Sequence, residues 1–333
     1  MTAVPNKLKD FRNFLYLCWK HLNLPEPTPI QYDMANFIQG EDQRIVINAF
    51  RGVGKSWITS AYVCHQLLLN PQKNILVISA SKNRADDFST FTLRLINEID
   101  VLAHLRPSES QRQSKVSFDV RPARASHAPS VKSLGITGQL TGSRSDLVIA
   151  DDVETPVNSA TMGMRDKLST QVKEFESIIK PQGRIIFLGT PQTEMSLYSE
   201  LPKRGYKLQI WPARYPSLKQ VRAMDKNLAP AISKNWKSDF EGQPTDPKRF
   251  DAEDLQEREA SYGRSGFNLQ FMLDTSLSDA DKYPLKLSDL VVMTTNPSTA
   301  PEKVIWASSP ELRVEDVPCV GLALDYYYRP MQT

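Results

Sequence analysis

The spacing of hydrophobic residues changes from a helical to a strand-like period near residue 44. Residues 8–23 place apolar side chains at helical spacing, which predicts an amphipathic helix packed on a neighbour. A second helix is predicted to begin after Thr28, with Pro29 in its first turn, and to end at Gly40. Four short Val/Ile-rich runs follow, at residues 44–49, 74–80, 146–151 and 184–190. Their nearly continuous apolar character is typical of strands covered on both faces.

Helical patterns separate most of these strands, at residues 55–69, 84–99 and 161–180. This alternation predicts an α/β fold with a mainly parallel sheet flanked by helices, over residues 25–211. Between 103 and 144 we expect an extra strand pair near 114–120, then a mobile loop in the Gly/Ser/Thr-rich run 133–146. After residue 212, two helices are predicted in a smaller, mostly helical subdomain, one capped by Asp251 and ending near Gly263, the other over 266–273. The pattern after residue 295 predicts no fold.

Composition narrows the class of protein. The 333 residues are 40% hydrophobic and 24% charged, which excludes a fibrous or wholly disordered chain. A net charge of +3 is too small to imply a polyanionic partner by itself, so a nucleic-acid surface has to be local. The three isolated cysteines and the four histidines without zinc-ligand spacing predict neither a structural zinc site nor a disulfide framework. Without an apolar run of membrane-spanning length, we expect a cytosolic protein.

The strongest chemical motif is AFRGVGKS, which follows the first strand and opens the next helix. It matches the phosphate-binding (Walker A) pattern G-x-x-x-x-G-K-[ST], with Ala49 in place of the first Gly. Lys55 would bridge the β- and γ-phosphates and the Ser56 hydroxyl would hold Mg²⁺. The alternative, an ordinary turn, has no need of Lys after Gly. We therefore predict an ATP and Mg²⁺ site built from Ala49, Phe50, Arg51, Gly52, Val53, Gly54, Lys55 and Ser56.

A second acidic motif, DLVIADDVE, ends the third predicted strand. Asp151 is predicted to be the Mg²⁺-directed (Walker B) carboxylate. The residue that polarises the attacking water is left open between Asp152 and Glu154, because Asp is one methylene shorter and would have to lie closer to the water. A solvated strand end is the alternative, and the nearby phosphate loop disfavours it.

Four further positions have two interpretations each. Arg51 in the phosphate loop and Arg144 ahead of the acidic strand are candidate arginine fingers, Arg144 toward a neighbouring subunit, or are solvated loop arginines. Gln31 is a candidate for adenine recognition or part of a capping box with Thr28. The motif LGTPQ ends the fourth strand, where ligands bind in open parallel sheets, so Thr190 and Gln192 are candidate γ-phosphate sensors, or the motif is a strand stop made by Gly189 and the following Pro.

Together these motifs resemble the ATPase domain of the large terminase subunit of tailed bacteriophages, most closely the short-tailed podophage type. The resemblance covers nearly the whole chain and includes AFRGVGKS, VISASKNRADD, IADDVETPVNSATMG, LGTPQTEM and GQPTDPKRFD. It implies a P-loop ATPase of the ASCE division, with residues 1–24 joining 212–333 in a linker or lid subdomain. It also implies a motor that uses ATP hydrolysis to drive double-stranded DNA through a portal into a preformed capsid.

The resemblance assigns roles and partners as well. It implies adenine contact for Gln31, a phosphate-loop arginine at Arg51, metal binding at Asp151, and coupling of hydrolysis to movement by LGTPQ. The implied partners are double-stranded DNA, the portal protein, the small terminase subunit and further copies in a homo-oligomeric ring, expected to be a pentamer. The expected location is the host cytoplasm, docked transiently on the viral procapsid, without a membrane.

This chain departs from the family in two respects. Many members have Glu directly after the acidic-strand Asp, where this chain has Asp152. A full terminase also carries a carboxyl-terminal nuclease with a two-metal cluster of carboxylates, whereas the acidic residues after position 300 are scattered: Glu302, Glu311, Glu315, Asp316 and Asp325. We expect a fragment of a longer protein, or a protein without the nuclease, and no DNA cleavage.

Two basic segments are candidates for DNA contact. Residues 103–132 carry six Lys or Arg against Glu109 and Asp119, and residues 202–237 carry nine against Asp225. Sequence-independent phosphate contacts suit a translocating motor, and a solvated charged face is the alternative. The candidate DNA contacts are Lys203, Arg204 and Lys207.

Three other functions compete with the packaging motor. A helicase-like, DNA-dependent ATPase would separate strands. A GTPase-type switch would carry an Asn-Lys-x-Asp string, which the chain lacks. A non-hydrolysing scaffold subunit would bind nucleotide without turnover.

Overall fold

The computed structural model describes residues 4–275, apart from residues 141 and 194, and the backbone of residues 303–304 and 312–313. The described residues up to 275 form one compact unit. Its α-helices are α1 (Phe11–His21), α2 (Pro29–Gln39), α3 (Lys55–Leu69), α4 (Lys82–Glu98), α5 (Pro156–Ser159), α6 (Met162–Ile178), α7 (Leu197–Glu200), α8 (Leu218–Met224), α9 (Pro230–Ser233) and α10 (Ala252–Phe267). Among the described residues, no helix has the length and apolar character needed to cross a membrane.

A single seven-stranded sheet organises this unit. The strands are β1 (Arg44–Ala49), β2 (Ile75–Ser79), β3 (Ser117–Phe118), β4 (Val131–Gly135), β5 (Ser145–Asp151), β6 (Ile179–Gly189) and β7 (Lys207–Trp211). Their order is β3-β4-β2-β5-β6-β1-β7, and every pair is parallel except β3 with β4. Because β6 lies between β1 and β5, the carboxyl ends of these three strands meet at one edge of the sheet.

Helices cover both faces of the sheet and bury two apolar cores. One core combines α1, α2, α3 and α4 with one face of the strands, and includes Phe11, Phe14 and Trp211. The other combines α6 and α7 with the opposite face, where Phe175 stacks on Phe187 with 5.6 Å between ring centroids. This is the α/β sheet with flanking helices that the sequence predicts, and the fold class is confirmed.

Local signals explain where the first helices begin. The Asp10 carboxylate accepts the backbone N–H of Arg12 at the start of α1. Thr28 and Gln31 form a complete capping box at the start of α2, and Pro29 occupies its first position. The predicted boundaries of both helices therefore rest on side-chain capping as well as on hydrophobic period.

The prediction for residues 133–146 is wrong in part. Residues 131–135 form β4, which pairs with β2 in parallel and with β3 in antiparallel register. Val131 and Ser133 are buried, so small and polar residues here fill a covered strand. Of the extra strand pair expected near 114–120, one short strand, β3, lies there, and its partner β4 lies outside that range. Strand β7, not assigned from the sequence, adds a further parallel edge beside β1.

The two helices expected after residue 212 are confirmed. Asp251 caps α10 through a capping box with Asp254, and the helical path is interrupted at Gly263, with φ 69° and ψ 166°. Residues Asn268–Met272 continue as a π-helical turn. Helix α1, which the sequence analysis assigned to the second subdomain, contributes Phe11 and Phe14 to the same core as the sheet. The predicted subdomain boundaries at residues 24/25 and 211/212 therefore stay predictions.

Most of the carboxyl-terminal sequence lies outside the described residues, including the scattered acidic residues after position 300. Two short strands there, β8 (Lys303–Val304) and β9 (Leu312–Arg313), pair in antiparallel register.

Candidate nucleotide-binding site

The phosphate loop connects the carboxyl end of β1 to the start of α3 and depends on two glycines. Gly52 and Gly54 have φ values of 89° and 97°, in the region that favours glycine. A Cβ on Gly52 would also lie 2.8 Å from Cζ of Phe250, so the ring closes directly on the loop. Both positions therefore require glycine on backbone grounds, and Gly52 on packing grounds too.

Lys55 lies at the first position of α3 and turns back into the loop. Its Nζ donates to the carbonyl oxygens of Ala49 and Phe50, at 2.6 and 3.3 Å, and to Oγ1 of Thr190 at 3.4 Å. The side chain is buried. Burial lowers the pKa of Lys55, and the carboxylates of Asp152 and Asp151 oppose this shift. The ammonium thus lies where β1 and β6 end, facing the acidic strand β5.

Ser56 and Asp151 bring a hydroxyl and a carboxylate together across the sheet edge. The Ser56 Oγ donates to the two carboxylate oxygens of Asp151 at 3.0 and 3.3 Å. Burial and the neighbouring Asp152 carboxylate raise the pKa of Asp151 to about 7, against the opposing effects of Ser56 and Lys55. Oxygen donors of this kind are the ligands that Mg²⁺ prefers, so the pair fits a magnesium ion shared with bound phosphates.

Asp152 follows directly and has a different environment. Its φ is 47°, an uncommon backbone conformation for a residue other than glycine. Its carboxylate lies 3.7 Å from the guanidinium of Arg84, and the side chain is partly exposed. Asp152 lines a cavity of about 740 Å³ together with Lys55 and Thr190. A carboxylate beside the phosphate loop and open to this cavity has access to water.

Glu154, the other candidate for polarising water, lines the same cavity, but its carboxylate is buried and accepts three hydrogen bonds. Its carboxylate accepts the backbone N–H of Gln192 at 2.9 Å, the Ser196 hydroxyl at 2.9 Å and the N–H of Leu197 at 2.6 Å. Burial raises its pKa, while these hydrogen bonds oppose the shift. The side chain is 2% exposed. In this conformation Glu154 ties the segment after β6 to the end of β5.

The LGTPQ motif ends β6 at the same edge as the phosphate loop. A Cβ on Gly189 would overlap the ring of Tyr198, which packs directly against the strand. Thr190 contacts Lys55, as described above, and the Gln192 side chain donates to the carbonyl of Thr190 at 2.9 Å. The predicted residues Gly189, Thr190 and Gln192 are therefore adjacent to the phosphate loop.

Gln270, which the sequence analysis did not single out, joins three parts of the site. Its carbonyl accepts the N–H of Arg51 at 3.0 Å, and its Oε1 accepts from the Arg51 guanidinium at 3.4 Å. Its Nε2 donates to Oε1 of Gln192 at 3.4 Å. Gln270 lies on the π-helical turn after α10, within the predicted helix 266–273. No motif marks it, because the link depends on contacts between distant segments.

Two arginines in the cavity wall were also missed. Arg249 donates from Nε to the carbonyl of Gly52 at 2.6 Å, and Arg84 faces Asp152. Both line the 740 Å³ cavity. Arg249 lies in GQPTDPKRFD and Arg84 lies in VISASKNRADD, two of the motifs on which the family resemblance rests. The sequence analysis noted these motifs but assigned no role to either arginine.

Gln31 is placed beside the phosphate loop but buried. Its Oε1 accepts the N–H of Thr28 at 3.1 Å, and its Nε2 donates to the carbonyl of Val53 at 2.9 Å. It is 1% exposed. The capping interpretation is therefore realised, and the amide also supports the loop from behind. Adenine contact by Gln31 stays a prediction, with no exposed amide surface in this conformation.

Of the remaining candidates, Arg144 and Lys207 lie at the opposite edge of the sheet, where β5 and β7 begin, and Lys203 and Arg204 lie in the turn between α7 and β7. Arg144 precedes β5 and donates to the carbonyl of Ser177 at 2.6 Å. Lys207 opens β7 and contacts Asp42 at 2.8 Å, while Lys203 contacts Glu200 at 2.7 Å. The guanidinium of Arg204 donates to the Ser169 hydroxyl at 2.6 Å. None of these four side chains lines the 740 Å³ cavity.

Sequence comparison connects this geometry to a known family. Residues 46–198, from the phosphate-loop strand to α7, match the family described as "Terminase large subunit, T4likevirus-type, N-terminal". The chain is 52% identical over 324 residues to the large terminase subunit of Enterobacteria phage T3. This chain is a relative of large terminase subunits. The match covers 95% of the chain and 55% of the phage T3 protein, so the chain spans about half the length of this terminase.

The solved structures that match this chain are more distant from it in sequence. The large terminase ATPase domain of Thermus phage P74-26 is 15% identical, with a TM-score of 0.41 and coverage of 77% of this chain and 96% of that chain. The Phi-28 gp11 DNA packaging motor is 11% identical, with a TM-score of 0.33 and coverage of 58% and 57%.

Proposed function

We propose that this chain is the ATP-hydrolysing part of a DNA-packaging terminase, a motor subunit that translocates double-stranded viral DNA through a portal into a procapsid. The observation that carries the proposal is the convergence of Lys55, Ser56 and Asp151 at one sheet edge, in a chain 52% identical to a large terminase subunit. A loop with this geometry has one well-known use, which is holding the phosphates of a nucleotide.

ATP and Mg²⁺ are the proposed ligands. Backbone N–H groups of residues 52–56 and the start of α3 would bind the phosphates, and Lys55 would contact the β- and γ-phosphates. Ser56 and Asp151 would hold Mg²⁺, which neutralises charge on the phosphates when bound. Lys55 Nζ already lies among backbone carbonyls and Thr190 Oγ1, so a short movement of the ammonium would deliver it to a phosphate.

We assign the water-polarising role to Asp152. Its carboxylate is partly exposed to the cavity and is held near Arg84, whereas three donors occupy the carboxylate of Glu154. A general base must reach the proton that it accepts, and geometry therefore favours Asp152 over Glu154. Glu154 would instead keep the LGTPQ segment in register with β5.

The two arginines would have different origins in an assembled motor. Arg51 lies in the loop and lines the cavity, so it can act within its own subunit. Arg144 lies at the opposite sheet edge, so it can reach only the nucleotide of a neighbouring subunit. A ring of subunits, a pentamer in this proposal, provides that neighbour.

Coupling would run from the γ-phosphate through β6 to the segment after α10. Thr190 contacts Lys55, Gln192 contacts Gln270, and Gln270 contacts Arg51. Loss of the γ-phosphate would change the position of Lys55 or Arg51, and either movement is transmitted to Gln270. The proposed DNA contacts are Lys203, Arg204 and Lys207. DNA bound to these residues would then move together with the subunit surface that carries them.

The remaining elements of the proposal concern partners and place. The motor would act with the portal protein and the small terminase subunit, in the host cytoplasm and docked transiently on the procapsid.

The test is the ATP hydrolysis rate as a function of protein concentration, with Mg²⁺ present. We expect Mg²⁺-dependent turnover that Lys55→Ala lowers about 10²–10³-fold, while the exposed Lys219→Ala, its matched control, changes it less than about 2-fold. Turnover per molecule that rises with concentration supports a shared site and Arg144 in trans. Turnover independent of concentration favours Arg51 alone.

Two results would contradict the proposal. Nucleotide binding without turnover at any concentration, even with portal and DNA present, indicates a scaffold subunit. ATP-dependent separation of short duplexes indicates a helicase-like enzyme.

A further inference from the structure

The residue directly after the phosphate loop is an exposed aromatic. Trp57 follows Ser56 in the first turn of α3 and is 42% exposed. Its ring packs on Phe91 with 5.4 Å between centroids, and meets Trp19 edge-on at 6.5 Å. Contacts with α1 and α4 thus hold the indole in place while a large part of its surface stays open.

Trp57 is shared by two neighbouring cavities. It lines the 740 Å³ cavity of the phosphate loop and a second cavity of about 290 Å³ between α3 and α4. Arg84 lines both as well. When the loop and the start of α3 bind the phosphates of a nucleotide, Trp57 lies one residue beyond these phosphate contacts and lines the same cavity. The indole is the aromatic surface at that point.

Gln31, the candidate for base recognition in the sequence, is enclosed by the protein in this conformation. Gln31 is 1% exposed and uses both ends of its amide within the protein. Among the described aromatic side chains of the 740 Å³ cavity, Trp57 and Tyr262 are the exposed ones, at 42% and 43%. Tyr262 belongs to α10, and its ring packs edge-on against Phe271.

We propose that Trp57 is the stacking surface for the base of the bound nucleotide. This inference rests on the proposed ATP site and specifies how it holds the part of ATP that carries no charge. Every purine offers a π-face, and stacking on an aromatic side chain contributes affinity without reading hydrogen bonds. Phosphate contacts and base contacts therefore come from adjacent residues, Ser56 and Trp57.

The test compares ATP with inorganic tripolyphosphate, which has the phosphates but no base. Dissociation constants for both ligands are measured by calorimetry with Mg²⁺ for the unmodified chain, Trp57→Ala, Trp57→Phe and Tyr262→Ala. We expect Trp57→Ala to weaken ATP binding about 10-fold, the lower part of the range for one stacked base, and tripolyphosphate binding less than 2-fold. Trp57→Phe should recover most of the loss, because it keeps an aromatic face.

Each other outcome has a defined meaning. Equal losses for both ligands in Trp57→Ala and Trp57→Phe would overturn the inference, since the indole would then support the loop and not the base. Unchanged ATP affinity in Trp57→Ala, with a loss in Tyr262→Ala, would overturn it in favour of α10. Failure of the proposed ATP site itself looks different, because neither ligand would bind the unmodified chain with a dependence on Lys55.

Discussion

The two edges of the central sheet carry charge in contrasting ways. At the carboxyl edge, Lys55 and Glu154 are buried, and each is surrounded by several polar partners. At the amino edge, the candidate DNA contact Lys207 pairs with Asp42, and the two side chains are 55% and 44% exposed. Burying Lys55 and Glu154 costs desolvation free energy, and removing one of their partners would leave a buried charge without compensation. The exposed pair contributes little, because solvent screens it.

The contrast indicates where rigidity and where exchange are needed. A nucleotide site benefits from groups that are already oriented when charge develops on a phosphate. A surface that moves along DNA must release each phosphate that it binds. Cations on such a surface can exchange partners readily when their contacts within the protein are weak. The difference between the edges can be tested by substitutions, taken from the largest expected effect to the smallest.

The sharpest test concerns the two carboxylates after Asp151. We expect Asp152→Asn to lower kcat about 10³-fold with little change in stability, because it removes the general base from an open position. Glu154→Gln should instead lower the free energy of unfolding by about 1–3 kcal/mol, because an amide has one acceptor oxygen and cannot serve both the Gln192 N–H and the Ser196 and Leu197 donors. Steady-state kinetics and urea unfolding separate the two effects. A 10³-fold kinetic loss in Glu154→Gln at unchanged stability would reverse the assignment.

The packing of the carboxyl edge is tested at Gly189. Gly189→Ala places a methyl group inside the Tyr198 ring, and we expect a loss of about 3 kcal/mol in the free energy of unfolding. Gly163→Ala is the matched control, since nothing lies within 4 Å of an added Cβ in α6. Thermal unfolding measures both. Equal midpoints for the two variants would show that the end of β6 is softer than described.

DNA binding beside the start of β7 is tested by charge reversal. Replacing Lys203, Arg204 and Lys207 with Glu should weaken DNA binding about 10-fold and flatten the dependence of log K on log salt. The control reverses Lys7, Lys9 and Lys20, which are exposed and lie outside both basic segments, for an equal change in net charge. Filter binding across a salt series gives both slopes. The same slope in the two variants would remove the first three residues from the DNA path.

The smallest effect comes from the Asp10–Arg12 pair, also near the amino edge. A hydrogen bond from the Arg12 side chain lowers the pKa of Asp10 to about 2, from 3.8. Its stabilisation is complete above about pH 4 and is lost as the pH falls toward 2, because protonation removes the pair. Asp10→Asn keeps a capping oxygen, so it should cost only about 0.5–1 kcal/mol at neutral pH. Urea unfolding at pH 7 and at pH 3, with Asp166→Asn as control, should show that cost shrinking at low pH.

Regular strands and motifs could be predicted from the sequence. Contacts between segments that are far apart in the sequence could not. The phosphate loop, Asp151 and LGTPQ were found because each lies at a strand end, and parallel strands bring such ends to one edge. Strand β4 was missed because Val131–Gly135 contains Lys, Ser and Gly, whose local preference is for loops. Pairing with β2 and burial of Ser133 override that preference.

The site residues that escaped prediction have a common cause. Gln270, Arg249 and Trp57 gain their positions from tertiary packing over separations that no local pattern encodes: Arg249 is 197 residues from the carbonyl that it contacts. Gln31 shows the converse. Its motif supports two roles, and only burial distinguishes the capping role that it fills here.

The contact between Gly189 and Tyr198 has a consequence for how such chains can diverge. Because the Tyr198 ring occupies the volume where a side chain at position 189 would begin, the two positions share one space. A lineage that acquires Ala at position 189 also needs a smaller residue at position 198. The combination of Ala at 189 with Tyr at 198 would be destabilised, because the added methyl group overlaps the ring. Related sequences should therefore vary at these two positions together, or keep Gly and Tyr as a pair.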